Sequence, residues 1–224
     1  MSEIHFGTDG WRGIIARDFT FANVALCAQG VADHVRAGGA TKGLMVGYDT
    51  RFASKELADE VAKVLAGNGI KVYLLDRAAP TPVVAYNIVQ FDTDGGIIIT
   101  ASHNPMQWNG FKFRSSYGGS ATAEVTDVLE NTIHHLSKSD IKSISIDEGC
   151  SRKLVEYVNP TNVYIPHLFD LVDIKAINQS GLRVVTDPMY GAGSGYFPYL
   201  INGNATKLNE VHGEPNPFFP DLVQ

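Results

Sequence analysis

The chain has 224 residues, enough for one complete domain and part of another, and its hydrophobic share of 44% is ordinary for a globular protein. The net charge of −6 argues against general nucleic-acid binding, which relies on a basic excess, but a few local cations suffice for a small phosphorylated ligand. Two cysteines without a spaced framework, no signal-peptide pattern and no membrane-length apolar segment favour a cytoplasmic protein without membrane partners.

The hydrophobic pattern predicts a regular alternation of helices and strands after a glycine-punctuated loop at residues 6–13. This alternation is typical of a layered α/β/α domain with a largely parallel mixed sheet. A polar loop with Asp49 and Arg51 follows one strand, and Ser54 is predicted to cap the next helix. In chain order the predicted helices are residues 20–37, 54–66, 81–89 and 124–136, and the predicted strands are residues 44–48, 70–75 and 95–100.

The segment GGIIITASHNPMQWNGFKFR, residues 95–114, is the most informative part of the sequence. Its isoleucine run suits a strand buried on both faces, and Ser102 and His103 follow directly in a polar loop. Asn109-Gly110 predicts a tight turn, and behind it Lys112 alternates with two phenylalanines as in a strand. A hydroxyl, an imidazole and a lysine therefore gather at the end of a buried strand, where open α/β sheets place ligands.

A second unit is predicted to begin near Asn159-Pro160, so that residues 1–158 form the first domain and residues 159–224 an incomplete second one. The second segment is too short to finish a sheet, and an unpaired sheet edge is a liability. We therefore expect the chain to be the N-terminal portion of a longer protein, with a homodimer through the open edge as one option. Its predicted helices are residues 161–177 and 190–200, and its predicted strands are residues 182–186 and 206–211.

Several side chains suit chemistry, but each also has a structural interpretation. Ser102 suits a nucleophile or phosphoryl carrier, or equally a turn serine, and no Gly-x-Ser-x-Gly elbow of a serine hydrolase surrounds it. Arg12 suits bidentate phosphate binding or a plain surface position. Lys112 suits a site cation or the solvent face of a strand. Asp49 and Arg51 favour an ion pair that orients their loop over a direct role in ligand binding.

The glycine-rich stretch at residues 191–195 follows a predicted strand, as a dinucleotide-binding loop would. It lacks the full G-x-G-x-x-G pattern, and no acidic partner is identified downstream. Close packing or a flexible turn is therefore the preferred interpretation of these glycines.

Three motifs taken together resemble those of the α-D-phosphohexomutase family, which comprises phosphoglucomutases and phosphomannomutases. They are FGTDGWRG at residues 6–13, GYDTR at 47–51, and TASHNP at 100–105 with NGFK at 109–112. They occur in the family's order, TASHNP is highly specific, and the match continues through VVTDPMYGAG at residues 184–193. The resemblance implies an enzyme that interconverts hexose 1-phosphate and hexose 6-phosphate through a phosphoserine and a bisphosphate intermediate.

The resemblance also implies roles for individual residues. Ser102 would be the phosphoryl carrier, and its phosphate would be a ligand of Mg²⁺. Arg12 would hold the phosphoserine, while His103 and Lys112 would assist proton transfer or charge stabilisation near the sugar hydroxyl. A phosphorylated hexose is the implied substrate, and a compound of the glucose 1,6-bisphosphate type is the implied activator. The implied substrate- or phosphate-binding residues are Arg12, Asn104, Asn109 and Lys112.

The sequence also departs from the family pattern. Family members are longer, four-domain proteins whose Mg²⁺ is held by an Asp-Gly-Asp-x-Asp-Arg loop, and that loop does not occur in this sequence. The sugar-specificity and phosphate-clamping loops are missing as well, so we expect the chain alone to have little or no mutase activity. Glucose or mannose phosphate is favoured over glucosamine phosphate. A sugar-phosphate-binding module without turnover is the alternative from another functional class.

Overall fold

The structure is a computed structural model that describes residues 4–7, 9–203 and 205–222. The strands are Trp11–Ile14 (β1), Leu44–Tyr48 (β2), Val72–Leu75 (β3), Gly95–Ile99 (β4), Trp108–Ser115 (β5), Val155–Val158 (β6), Arg183–Thr186 (β7) and Lys207–Glu210 (β8). The α-helices are Phe21–Ala37 (α1), Ser54–Gly67 (α2), Thr81–Gln90 (α3), Ala123–His135 (α4), Ile146–Ser151 (α5), Thr161–Leu171 (α6), Ile174–Gln179 (α7) and Tyr196–Leu200 (α8).

A six-stranded mixed sheet in the order β1-β5-β4-β2-β3-β6 forms the centre of the first part of the chain. Four neighbouring strands, β4, β2, β3 and β6, are parallel to one another. Strand β5 pairs antiparallel with β4, and β1 pairs antiparallel with β5. Helix α2 packs on the sheet with α1 and α4 beside it, and α3 packs on the opposite face. Gly96 allows this close approach, because a β carbon there would lie 2.6 Å from Ile88 Cδ1 in α3. The predicted layered α/β/α fold with a largely parallel mixed sheet is confirmed.

The isoleucine run lies at the centre of this sheet, as its composition predicted. Ile97, Ile98 and Ile99 are each at most 1% exposed, and β4 is paired on one side with β2 and on the other with β5. Helices cover both faces of the sheet, so every side chain of β4 is buried whichever way it points. The loop that follows β4 therefore leaves from a rigid base.

Two strands and one turn differ from the sequence-based expectations. β1 lies inside the segment predicted as a glycine loop, and β6 lies in a segment without a clear pattern. The turn predicted at Asn109-Gly110 is wrong, because both residues are in β5 and pair with Gly13 and Arg12 of β1. Pairing between segments far apart in sequence outweighs the local turn preference of this dipeptide.

Two helix predictions in the second part are also wrong in extent. The helix predicted over residues 161–177 is divided, because Val172 is extended and Asp173 begins α7 by accepting a hydrogen bond from the Ala176 N–H. The helix predicted over residues 190–200 begins only at Tyr196, after Gly195 adopts a left-handed conformation with φ of 80°. The helices predicted at residues 20–37, 54–66, 81–89 and 124–136 are confirmed within about two residues at each end.

The second part of the chain has a small sheet of its own. β7 and β8 form a two-stranded parallel sheet, and Ile165, Ile174 and Leu200 form a small apolar cluster separate from the main core. The boundary between residues 158 and 159 and the homodimer through the open edge stay predictions. Among the described residues, no helix combines the length and apolar character needed to cross a membrane.

Candidate active site

Two polar loops meet at the carboxyl end of the sheet. β2 and β4 are parallel neighbours whose last residues, Tyr48 and Ile99, are in register, so the loops after them leave side by side. One loop carries Asp49 and Arg51, and the other carries Ser102. An open cavity of about 350 Å³ is lined by residues of both loops and by Pro188, Met189, residues 191–193 and Phe219. The sequence predicted this position for a ligand, at the end of a buried parallel strand.

Ser102 lies at the cavity with an exposed side chain and a strained backbone. Its φ is 58°, in the left-handed region that residues with a β carbon seldom adopt. Its N–H donates to Thr100 Oγ1 at 2.9 Å, and its hydroxyl oxygen lies 3.3 Å from His103 Nδ1. His103 is exposed and also lines the cavity. The structure therefore brings together the predicted nucleophile and the predicted imidazole.

Two guanidinium groups donate hydrogen bonds to the loop of Ser102. Arg12, on β1, donates from Nη1 to Asn104 Oδ1 at 2.5 Å, so the predicted phosphate ligands Arg12 and Asn104 lie together. Arg51 approaches the same loop from the end of β2. Burial lowers the pKa of Arg51, Asp49 opposes this effect, and the charge of nearby Arg12 adds to it. Two positive charges beside one serine suit the binding of a phosphate group.

Arg51 makes contacts that the sequence did not predict. Its Nη1 donates to the carbonyl oxygens of Pro105 and Trp108, both at 3.0 Å. Its Nη2 donates to the carbonyl oxygens of Ser102 at 2.9 Å and Asn104 at 2.5 Å. The expected pairing with Asp49 is present, with Nε 3.3 Å from Oδ2. The signal in the sequence was an arginine three residues after the end of a central strand.

Asp49 is the centre of a hydrogen-bond network below the cavity. Its carboxylate accepts hydrogen bonds from the Ser54 hydroxyl at 2.8 Å, from the Arg51 N–H at 3.0 Å and from the side chain of Thr100. Burial raises the pKa of Asp49, and these donors act against that effect. The prediction that Ser54 caps α2 is wrong, since Ser54 is the first helical residue and its hydroxyl donates to Asp49. The network ties the two loops together through Thr100, which also accepts the Ser102 N–H.

Asn109 belongs to this network rather than to the cavity. It is fully buried, and its Nδ2 donates to Ser54 Oγ at 2.8 Å while its Oδ1 accepts the N–H of Gly110. The expectation that Asn109 binds substrate or phosphate stays a prediction, and the structure shows its amide already bonded inside the protein. Its position supports a structural role instead.

Lys112 is buried rather than exposed on a solvent-facing strand. It is 4% exposed, and its ammonium lies 2.5 Å from Asp9 Oδ2. Arg114, two residues further along β5, donates to the other carboxylate oxygen of Asp9 at 2.9 Å. Among the described residues, those that line the cavity do not include Lys112. The sequence did contain a signal for Asp9, because two cations on one face of a strand require a nearby anion.

Replacing Asp9 by asparagine is expected to lower the free energy of unfolding at pH 7 by about 2 kcal/mol. Loss of the Asp9 charge leaves the buried Lys112 ammonium without its ion-pair partner. The Asp9 side chain is 37% exposed, so the loss of stability is smaller than for a fully buried ion pair. Partial burial raises the pKa of Asp9, but the hydrogen bond and charge of Lys112 and the charge of Arg114 outweigh it, and the net pKa is lowered from 3.8. The stabilisation is therefore present above pH 3.8 and is lost as the pH falls through the lower pKa of the folded state.

Urea unfolding of both proteins across this pH range measures the effect. Asp127→Asn, at an exposed aspartate of α4, serves as the matched control and is expected to change stability by less than about 0.5 kcal/mol. A difference between Asp9→Asn and the original protein that persists unchanged at about pH 2 would contradict the assigned ion pair.

The described residues do not by themselves form a magnesium site. No group of three or more histidine, cysteine, aspartate or glutamate side chains with the geometry of a metal site occurs among them. Mg²⁺ prefers oxygen ligands in near-octahedral geometry, and a phosphate on Ser102 would supply only part of such a set. Further ligands would have to come from elsewhere.

Known proteins resemble this chain in sequence. The sequence model described as phosphoglucomutase/phosphomannomutase, alpha/beta/alpha domain I, matches residues 3–140. A phosphoglucomutase of Komagataeibacter xylinus is 29% identical over 96% of this chain, and one of Staphylococcus aureus strain MRSA252 is 31% identical over 99%. In each case the chain spans 41% of the relative's length.

Solved structures show the same fold. A Thermus thermophilus protein described as a putative phosphomannomutase has a TM-score of 0.83 and is 31% identical in sequence. The match covers 97% of this chain and 48% of the Thermus thermophilus chain. A phosphoglucomutase/phosphomannomutase family protein of Burkholderia thailandensis has a TM-score of 0.74 over 99% of this chain and 46% of its own. At 21% identity this second likeness shows the fold alone. Because the family's domain I model covers more than half of the sequence, the chain belongs to the phosphoglucomutase/phosphomannomutase family.

Proposed function

We propose that this chain supplies the phosphoserine part of a phosphohexomutase, an enzyme that interconverts hexose 1-phosphate and hexose 6-phosphate. The observation that carries the proposal is the position of Ser102. Its side chain is exposed at a cavity, just after the central strand β4, and both Arg12 and Arg51 donate hydrogen bonds to its loop. Family membership supports a sugar phosphate as the substrate.

In the proposed reaction a phosphoryl group on Ser102 passes to the free hydroxyl of a hexose monophosphate. The bond from phosphorus to Ser102 Oγ breaks, a bond to the sugar oxygen forms, and a hexose bisphosphate results. The bisphosphate reverses its orientation, and the phosphoryl group at the other position returns to Ser102. The protein ends as it began, and the sugar phosphate has been isomerised.

The residues near Ser102 suit the charge and proton requirements of this transfer. Negative charge spreads over the three equatorial oxygens of the moving group, and positive side chains stabilise it. Arg12, held by Asn104, is proposed to bind these oxygens. The sugar hydroxyl loses a proton and Ser102 Oγ gains one, and His103, 3.3 Å from Oγ, is proposed to take part in this exchange.

Lys112 has a more limited role in the proposal. Its ammonium is bound to Asp9, so it acts near the sugar hydroxyl only if that ion pair opens when substrate binds. Asn109, whose amide is buried and bonded, is not proposed as a ligand.

We also propose that the reaction requires Mg²⁺ and a glucose 1,6-bisphosphate type of activator. This chain would contribute only phosphate oxygens to the metal, and its remaining ligands would lie outside the chain. Glucose phosphate and mannose phosphate are the proposed substrates, with glucosamine phosphate as the alternative. A sugar-phosphate-binding module without turnover is the second candidate, favoured by the missing aspartate-rich loop and by the lack of a metal-binding cluster among the described residues.

A mutase assay of the complete gene product beside the 224-residue chain tests the proposal. Each is mixed with glucose 1-phosphate or mannose 1-phosphate, Mg²⁺ and a trace of glucose 1,6-bisphosphate, and formation of the 6-phosphate is measured. We expect turnover by the complete product and little or none by the chain. A complete product that binds hexose phosphates but isomerises none of them would overturn the mutase proposal and support the binding module.

A further inference from the structure

We infer that Arg51 is a positioning residue, whose guanidinium fixes the conformation of the loop that carries Ser102. This inference rests on the proposed function, because it explains how the phosphoryl carrier is held in place. It differs from the expectations drawn from the sequence, which were an ion pair with Asp49 or, as the weaker option, a direct role in ligand binding. Arg51 donates four hydrogen bonds to the backbone of the loop between β4 and β5, whereas the expected ion pair would orient only the loop of Arg51 itself.

The donors of Arg51 are all directed at the protein. A guanidinium carries five N–H groups, and the four on Nη1 and Nη2 match the four carbonyl oxygens that they contact. The fifth, on Nε, is buried beside Asp49 at 3.3 Å. The residue as a whole is 4% exposed. Because these donors are already used inside the protein, Arg51 is not free to bind a phosphate bidentately, although it lines the cavity.

The four carbonyls span the whole connection between the two central strands. β4 ends at Ile99 and β5 begins at Trp108, and the bonded carbonyls belong to Ser102, Asn104, Pro105 and Trp108. One rigid side chain thus binds the loop at its start, at its middle and where it re-enters the sheet. A planar fork suits this task, whereas a single ammonium has no comparable geometry.

The loop needs such support because its key residue is strained. Ser102 has a φ of 58°, and its carbonyl oxygen accepts one of the Arg51 bonds at 2.9 Å. A strained conformation persists only where its surroundings determine it, and such conformations cluster at functional sites. Without Arg51, the Thr100 hydroxyl that accepts the Ser102 N–H would remain as a support for this conformation.

Arg51 is itself held on two sides. Asp49 lies beside its Nε, and the ring of Phe219 lies over the guanidinium, with its centroid 5.3 Å from Cζ. Arg51 and Phe219 both line the cavity, and with this ring over it the arginine is only 4% exposed. The hydrogen bonds to the carbonyls are strengthened in such a sheltered position.

Arg51→Lys in the complete gene product tests the inference, because lysine keeps the charge but not the fork. We expect kcat to fall by about 100-fold with little change in KM for the hexose phosphate, since a misplaced carrier slows transfer without removing a substrate contact. In the 224-residue chain, hydrogen exchange should accelerate at the amides of the loop, residues 101–104 and 106–108, and stay slow in β4. Arg114→Lys, at another buried arginine on the same sheet, should leave exchange in residues 101–108 unchanged.

The outcomes separate this inference from the proposed function. A complete gene product that fails to isomerise hexose phosphates defeats the proposed function, while exchange in the chain still decides whether Arg51 holds the loop. An Arg51→Lys protein with unchanged kcat and unchanged protection of residues 101–108 overturns the inference. If the Arg51→Lys protein does not fold, the NMR spectrum of the unmodified chain shows whether the Arg51 guanidinium is held in place. Four separate Nη–H resonances of Arg51 are expected, and one averaged resonance would overturn the inference.

Discussion

Replacing Ser102 by alanine is expected to lower kcat of the complete gene product by about 10⁴-fold or more. The loss is large because the proposed reaction passes through a covalent phosphoserine, and no other group takes over when a covalent carrier is removed. The fold should be preserved, because the Ser102 side chain is exposed. Alanine, like serine, has a β carbon, so the strain at the positive φ of this residue stays about the same. Initial rates measured with glucose 1-phosphate and with mannose 1-phosphate, together with thermal unfolding, give the two readouts.

Ser116→Ala is the matched control for this experiment. Ser116 is an exposed serine in the turn after β5, so its loss should leave both the rate and the unfolding temperature unchanged. A Ser102→Ala protein that keeps more than about a tenth of the original kcat would show that phosphoryl transfer does not pass through this residue.

Replacing Gly110 by alanine is expected to lower the free energy of unfolding by about 3 kcal/mol. Gly110 lies in β5 between β4 and β1, and a β carbon there would lie 2.5 Å from the Thr100 carbonyl oxygen and 3.0 Å from that of Trp11. Both contacts are with backbone atoms, so the strands themselves would have to move apart. The displacement would reach Thr100, which accepts the N–H of Ser102, and activity should fall along with stability.

Gly38→Ala provides the comparison for Gly110→Ala. Gly38 follows α1 with a φ of −77°, and a β carbon there would lie 3.5 Å or more from its neighbours. Its replacement should change stability by less than about 0.5 kcal/mol in urea unfolding. Equal effects of the two substitutions would contradict the close approach of strands at Gly110.

The sequence predicted the centre of the sheet and the place of the site because both depend on local patterns. β2 and β4 are buried on both faces and appear as short apolar runs. Since parallel neighbouring strands end at the same edge, the polar loops that follow them had to lie together. The approximate position of Ser102 followed from this topology, and its chemical role came from the resemblance rather than from the pattern.

The parts that the sequence did not predict depend on contacts between distant segments. β1 contains glycine and forms only by pairing with β5, almost a hundred residues away, and that pairing also draws Asn109 into the sheet. The alternating pattern around Lys112 suggested an exposed face, but Asp9 from the opening loop covers it. The carbonyl partners of Arg51 depend on the conformation of the loop at residues 102–108, which no local pattern encodes.

Mapping the phosphorylated residue tests the central claim most directly. The complete gene product is incubated with glucose 1,6-bisphosphate and Mg²⁺, digested, and analysed by mass spectrometry beside the Ser102→Ala protein. The account predicts one phosphate on Ser102 of the original protein and none on the variant. Phosphate on another residue, or interconversion of hexose phosphates by a protein that never carries phosphate on Ser102, would contradict it.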